Sequence, residues 1–285
     1  MPYFSAVASG LFADYDLVVE ILDPPPPPGT TNAQRVANGG ADFCLTGVTY
    51  FLAAQKEAGD HFPARFVSVI HQRSPLGAIV AESSGIRAPA DLAGRRLGRT
   101  ELTGWQADEL VEALADRGVG APICVDLGPV KGPDALGRGD IDIVATFVDA
   151  TSRVRAKGGL PVRAVHVGGD IYASGLVAAD HLPTELVERM RAAVGAAFQA
   201  QRDDPEAGIA DFCQRFPEAE PAHARESWAL LEPYAFADGM VGAMDVARWE
   251  STIDWLARVH WLPPVAPERV YRPDLAAPGR SAQRC

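Results

Sequence analysis

Long apolar runs are missing from this 285-residue chain. None approaches the roughly 18 apolar residues that a membrane-crossing helix needs, so no insertion of the chain into a bilayer is expected. Cysteine is scarce and scattered: Cys44, Cys124, Cys213 and Cys285 stand apart, with no CxxC pair. That spacing argues against a zinc site and a disulfide framework. Cys44 and Cys124 lie in apolar runs and read as core residues. No metal and no cofactor is expected. Basic residues are outnumbered, 26 Lys and Arg against 37 Asp and Glu, for a net charge of −11. A phosphate backbone needs a basic face, so nucleic acid is not an expected partner, although a local basic pocket stays compatible. The opening Met-Pro-Tyr-Phe-Ser-Ala has neither the basic start nor the apolar core of a signal peptide. By itself this feature implies a cytoplasmic chain.

What is present is ordinary globular composition, 47% hydrophobic and 22% charged. The length suffices for one large or two medium α/β domains. One internal echo stands out. Ala41-Asp42-Phe43-Cys44-Leu45-Thr46 returns as Ile141-Asp142-Ile143-Val144-Ala145-Thr146. Each copy follows a glycine-containing turn and ends on Thr. Short runs of this kind read as buried strands, and the carboxyl ends of strands are where α/β proteins hold ligands. Two such ends suggest two similar lobes around a shared cleft; chance similarity between two buried strands is an equal alternative.

A helix is expected over 3–12 and a strand over 16–22. The proline run 24–28 favours stiff extended backbone on the surface; a docking motif for a proline-binding domain is the alternative. Thr30 or Thr31 can cap a helix to Ala37. Strands are expected at 42–45, 66–70, 77–80, 95–99, 123–127, 141–146, 162–167 and 172–179. Helices are expected at 48–57, 106–117, 133–136 and 150–157. This alternation predicts parallel βαβ units. From 185 onward the pattern is helical, with Leu186, Met190, Val194 and Phe198 at four-residue steps, then segments 205–215, 222–231 and 246–260. A proline-rich tail follows Pro263.

Four stretches carry a family likeness. They are Pro2-Tyr3-Phe4-Ser5-Ala6-Val7-Ala8-Ser9-Gly10-Leu11-Phe12, Asn38-Gly39-Gly40-Ala41-Asp42-Phe43, Ile86-Arg87-Ala88-Pro89-Ala90-Asp91-Leu92-Ala93-Gly94, and Met244-Asp245-Val246-Ala247-Arg248-Trp249 with Trp255 and Pro263-Pro264. With them the chain resembles the solute-binding proteins of ABC importers for alkanesulfonates, nitrate and thiamine-pyrimidine precursors. The resemblance implies an α/β fold of the two-lobed type II periplasmic binding protein kind. Each lobe would be a mainly parallel sheet flanked by helices, with the family's first strand missing here. Lobe one would hold 1–83 and 172–285, and lobe two 84–171. It also implies an ABC permease as partner, a monomer, and an extracytoplasmic location, against the cytoplasmic one above. A truncated start and a cytoplasmic relative are the two accounts of the missing strand. The iron-binding Cys-rich motif of the pyrimidine synthases in this superfamily is not found. A desulfinase branch uses Cys with His and Arg; Cys44, His71 and Arg73 supply those residue types without the motif.

The candidate ligand residues each have a structural alternative. Tyr3 and Phe4 offer rings, or pack in the core. Thr46 and Gly47 leave a helix N-terminus open to an anion, or simply cap it. His71 and Arg73 follow a strand, where Arg73 can clamp an anion by its fork, or form a surface ion pair. Thr100, Glu101 and Thr103 offer polar groups, and Trp105 a stacking face; capping and interhelical packing are the alternatives. Asp149, beyond Thr146, accepts from an amine or caps a helix. Tyr172 lines the cleft or packs the hinge. A pocket with Glu101, Asp149 and Arg73 carries both signs and suits a zwitterionic or hydrogen-bonding heterocycle. No residue set has a motif-level claim to catalysis, so the leading expectation is a binding protein for a small polar organic molecule in the interlobe cleft. An enzyme on the same fold and a cytoplasmic ligand sensor are the rivals.

Overall fold

A computed structural model describes residues 1–22, 31–59, 61–100 and 104–276. The proline run 24–28, Glu101 and Thr103 lie outside the described residues. In chain order the elements are α1 (Pro2–Ala8), α2 (Asn32–Ala37), β1 (Phe43–Gly47), α3 (Val48–Ala58), β2 (Ala64–Val69), β3 (Leu76–Ala81), β4 (Arg96–Arg99), α4 (Gly104–Ala115), β5 (Ile123–Asp126), α5 (Gly132–Arg138), β6 (Ile143–Phe147), α6 (Thr151–Gly158), β7 (Val162–His166), β8 (Ser174–Ala179), α7 (Thr184–Asp203), α8 (Pro205–Arg215), α9 (Pro221–Ala235) and α10 (Val246–His260).

The chain forms two compact units: unit 1 is Met1–Gln72, Ile171–Pro221 and Tyr234–Cys285, and unit 2 is Arg73–Asp170 and Ala222–Pro233. The division expected at 83/84 thus falls at 72/73, because β3 is laced between β6 and β7 of the unit 2 sheet. Segment 222–233, expected in lobe one, groups with unit 2. There the Arg155 guanidinium of α6 grips the Glu226 carboxylate of α9 through two hydrogen bonds of 2.8 Å.

In unit 1, Thr31 caps α2 through a reciprocal box with Gln34: the Thr31 hydroxyl accepts from Gln34 N–H at 3.1 Å, and Gln34 Oε1 accepts from Thr31 N–H at 2.7 Å. The sheet runs β1-β8-β2, and β8 is antiparallel to both neighbours. The mainly parallel sheet expected is therefore corrected. β1 and β2 do share a direction, but the returning strand inserts between them. Behind the sheet an aromatic core gathers Phe51, Phe66, Tyr172, Trp249 and Tyr271. Trp249 stacks on Tyr271 at 5.1 Å with 5° between the rings, and Phe66 and Tyr172 close on it from 5.1 Å. The tail covers the outer edge of β2, where Phe66 N–H donates to Val270 O and Phe66 O accepts from Arg272 N–H, both at 2.9 Å.

The outer edge of β1 is different. Ala179 N–H donates to Asp42 O and Val48 N–H to Ala173 O, both at 3.0 Å, which turns the even-numbered main chain toward β8. Phe43, Leu45 and Gly47 therefore direct their main chain outward, where Asn32 Nδ2 donates to Leu45 O at 3.3 Å. Segment 16–22, expected as a strand, is a second correction: it pairs with no strand among the described residues. It keeps the alternating pattern, with Leu17 buried and Val18 fully exposed. Strand propensity alone does not make a ladder without a neighbour to pair with.

Unit 2 contains a five-stranded sheet in the order β5-β4-β6-β3-β7, parallel from β5 through β6 and antiparallel around β3. Strand alternation serves two cores. Ala78, Val80, Ile143 and Ala145 face α4 with Ala107, Leu110 and Leu114, whereas Ile79 and Val144 join Leu136 and Val154 on the other face. A sheet covered on both faces reads as near-continuous apolar sequence.

Candidate binding residues at the strand ends

The sequence echo is one local geometry used twice. Gly47 and Phe147 both leave their strands at φ −73° and ψ 146° before the next helical turn. Thr46 stands opposite Gly175 and Thr146 opposite Gly77. Both glycines are required by close approach, since a Cβ would overlap Ser68 O at Gly175 or Val148 Cγ1 at Gly77.

In unit 1 the carboxyl ends of β1 and β2 meet the start of β8, which gathers Thr46, Gly47, His71 and Ser174. Ser174 O accepts from Ile70 N–H at 2.9 Å and from His71 N–H at 3.2 Å, while His71 O accepts from Ala173 N–H at 3.3 Å. His71 Nδ1 lies 2.8 Å from Ser174 Oγ. Burial lowers the His71 pKa to about 4, so the ring is neutral at pH 7. Ser174 is a polar partner of His71. It follows Tyr172 by two positions in the crossing already singled out, and only the register shows that it reaches His71.

Tyr172 is 1% exposed. Its hydroxyl accepts from Asp245 N–H at 2.8 Å, its N–H donates to Thr252 Oγ1 at 3.1 Å, and the Arg248 guanidinium sits 5.4 Å from its ring. These are packing and hydrogen-bond contacts within unit 1. Tyr3 and Phe4 lie in the helical layer of unit 1, where Tyr3 packs edge-on against Phe198 and Phe4 against Phe212 and Phe216. Burial pushes the Tyr3 phenol upward, and its oxygen is buried with no hydrogen-bond partner among the described residues. The Cys44 thiol, packed against the unit 1 core, is pushed up to about 12 by burial.

In unit 2 the parallel ends of β4 and β6 bring Thr100, Thr146 and Asp149 to one end of the sheet. Arg99, the last residue of β4, pairs with Asp108 of α4 at 2.9 Å. Trp105 is half-buried in the first turn of α4. Asp149 is also half-buried; burial raises its carboxyl and the Arg153 guanidinium opposes that shift. Arg73 pairs with Asp170 at 3.5 Å with 54% of its side chain exposed, so solvent screens it.

A cavity of about 300 Å³ lies elsewhere in unit 1, lined by Gln34, Asn38, Glu57, His61 and Phe62 at the opposite end of α3 from Gly47. Among the described residues no cluster of His, Cys, Asp and Glu could hold a metal ion. Nor is any described helix long and apolar enough to cross a membrane.

A family model described as NMT1/THI5 like matches residues 1–208. No curated protein matches the chain by sequence. Among solved structures, the alkanesulfonate-binding protein SsuA from Xanthomonas axonopodis pv. citri, bound to MOPS, is similar at TM-score 0.66 and 18% identity, over 98% of this chain and 94% of that one. The periplasmic aliphatic sulphonate binding protein SsuA from Escherichia coli is similar at 0.65 and 20%, over 83% and 76%. DSZB in complex with biphenyl-2-sulfinic acid is similar at 0.62 and 17%, over 96% and 94%. At such identities the likeness is one of fold, the α/β fold of periplasmic binding proteins.

Proposed function

Since the chain belongs to the NMT1/THI5-like family, we propose that it is a solute-binding protein. It captures a small polar organic molecule, either an alkanesulfonate-like anion or a heterocycle resembling a thiamine-pyrimidine precursor, and delivers it to an ABC permease from an extracytoplasmic location. The observation that carries this reading is the polar strand end of unit 1. A neutral His71, hydrogen-bonded with Ser174, lies at the same strand end as Thr46 and the start of α3 at Gly47. Such a set can recognise an oxygen-rich head group by directed hydrogen bonds. In unit 2, Thr100, Thr146, Asp149 and Trp105 are the proposed contacts.

A second reading, an enzyme of the desulfinase kind, is favoured by the similarity to DSZB in complex with a sulfinic acid. The Cys44 thiol counts against it, because a group raised to about 12 holds almost no thiolate at pH 7. The test is a thermal-shift screen with MOPS, alkanesulfonates, aminopyrimidines and aromatic sulfinates, followed by mass analysis of the recovered compound. A ligand at 100 times its Kd adds about 2.7 kcal/mol of stability. A shift with the compound intact supports the binding protein. A shift with the compound consumed replaces it by the enzyme.

A further inference from the structure

The cavity of about 300 Å³ in unit 1 belongs to none of the strand ends considered above. Its volume is at the lower end of the range for small-molecule sites. Local sequence opens it. Helix α2 ends at Ala37 and α3 at Ala58, and Gly59 then turns the chain at φ 73° and ψ −132°, a conformation that glycine adopts without strain. Gln34 ties the two helices together: its Nε2 donates to Glu57 Oε2 at 3.0 Å, and its Oε1 accepts from Thr31 N–H. Both ends of that amide are thus spent on the fold.

The other polar side chains on the cavity wall are not. Glu57 Oε1, the Asn38 carboxamide and the His61 ring have no partner among the described residues. Beside them the wall is apolar: Phe62 is 8% exposed and packs edge-on against Phe51 of the core, and Pro63 follows it. The electrostatics have one sign. A carboxylate sits in the last turn of α3, where the helix end itself is partially negative and favours a cation. Lys56, next to Glu57 in sequence, does not line the cavity.

We propose that this cavity is a second binding site, specific for a small organic ammonium with a short apolar body. An ammonium has donors and no acceptor, which matches Glu57 Oε1 and the Asn38 carbonyl oxygen. Its carbon body rests on Phe62 and Pro63. The same carboxylate and helix end repel a sulfonate, so the site selects the opposite sign from an alkanesulfonate-like solute. It does not depend on the solute-binding reading of the strand ends.

The experiment is a proton–nitrogen NMR titration of the nitrogen-15-labelled full chain at pH 7 with cyclohexylamine. Cyclohexanol and cyclohexanecarboxylate present the same body without the ammonium. Cyclohexylamine is expected to give saturable shifts at the amides of 34–38 and 57–62, and the other two compounds none there. Glu57→Gln, which keeps the size of the side chain, should weaken amine binding about fivefold, as loss of an exposed charge-assisted contact does. Asn38→Ala should weaken it as well, and carries the comparison if Glu57→Gln does not fold. No saturable shift at these amides, equal shifts with cyclohexanol, or unchanged affinity in the folded variants overturns the proposal.

Discussion

Gly47 and Phe147 turn out of their strands at the same angles, yet their surroundings have opposite character. Beside Gly47 the polar groups are an uncharged imidazole and a hydroxyl, held by short neutral hydrogen bonds. In unit 2 they are charges: Arg99 with Asp108, Arg73 with Asp170, and Asp149 opposed by Arg153. The cores differ in parallel. Unit 1 packs aromatic rings around Trp249, and the sheet of unit 2 is enclosed by aliphatic side chains. The same backbone turn is thus a neutral scaffold, and side chains alone decide whether it offers direction or charge. Neutral contacts persist in salt, whereas exposed ion pairs are screened.

The contrast can be broken at its strongest point first. Trp249→Ala removes the ring on which Phe66, Tyr172 and Tyr271 converge, and should cost about 3–5 kcal/mol in urea unfolding. Leu110→Ala in unit 2 should cost about 2–5 kcal/mol by the same mechanism. A loss below about 1 kcal/mol for Trp249→Ala would show that the aromatic cluster does not organise unit 1.

The neutral ring gives the next effect. His71 titrates near 4 in the folded chain, below its unfolded value of about 6.5. Above pH 6.5 both states are uncharged and nothing changes. As pH falls from about 6.5 to 4, the unfolded chain takes up a proton that the folded one refuses, so stability declines; below about 4 the decline levels off. The loss reaches roughly 3 kcal/mol, and His71→Gln should remove that part of the slope. Parallel pH profiles for the two proteins would end the description of a neutral rim.

A smaller effect belongs to the charged side. Arg155→Ala breaks the fork to Glu226, which is partly exposed, and should cost about 1 kcal/mol or less, with the difference shrinking in salt. A salt-independent loss of several kcal/mol would place that pair among the buried interactions instead. The smallest expected effect is none: Cys44 in the native chain should resist a thiol reagent that modifies the exposed Cys124, as read by peptide mass mapping. Prompt native labelling of Cys44 would revive a thiolate chemistry.

What the sequence revealed was local. The Thr31 cap, the Leu110 and Leu114 stripe of α4, and the strand-to-helix turn after Thr46 depend on neighbours within a few residues. Strand pairing does not. Nothing in 174–179 announces insertion between β1 and β2 in the opposite direction, and nothing in 76–81 assigns that strand to unit 2. Segment 16–22 shows the converse, with a correct alternation and no ladder. For the candidate site, strand ends were legible because turns mark them. The His71–Ser174 contact, 103 positions apart in sequence, was not. The packing of Tyr172 on Trp249 was hidden for a related reason: an aromatic beside a crossing looks the same in sequence whatever it faces.

The outward-facing main chain of β1 has a consequence for handling the protein. A strand edge that pairs with no other strand among the described residues is a template on which another copy can grow, and the alternating segment 16–22 has the pattern to do so. Like charges hold copies apart, given the net −11 of the chain. That protection has a range of about 10 Å at 0.1 M salt and about 3 Å at 1 M. Concentrated stocks should therefore stay clear in dilute buffer and turn turbid in strong brine, with the precipitate rich in cross-β structure.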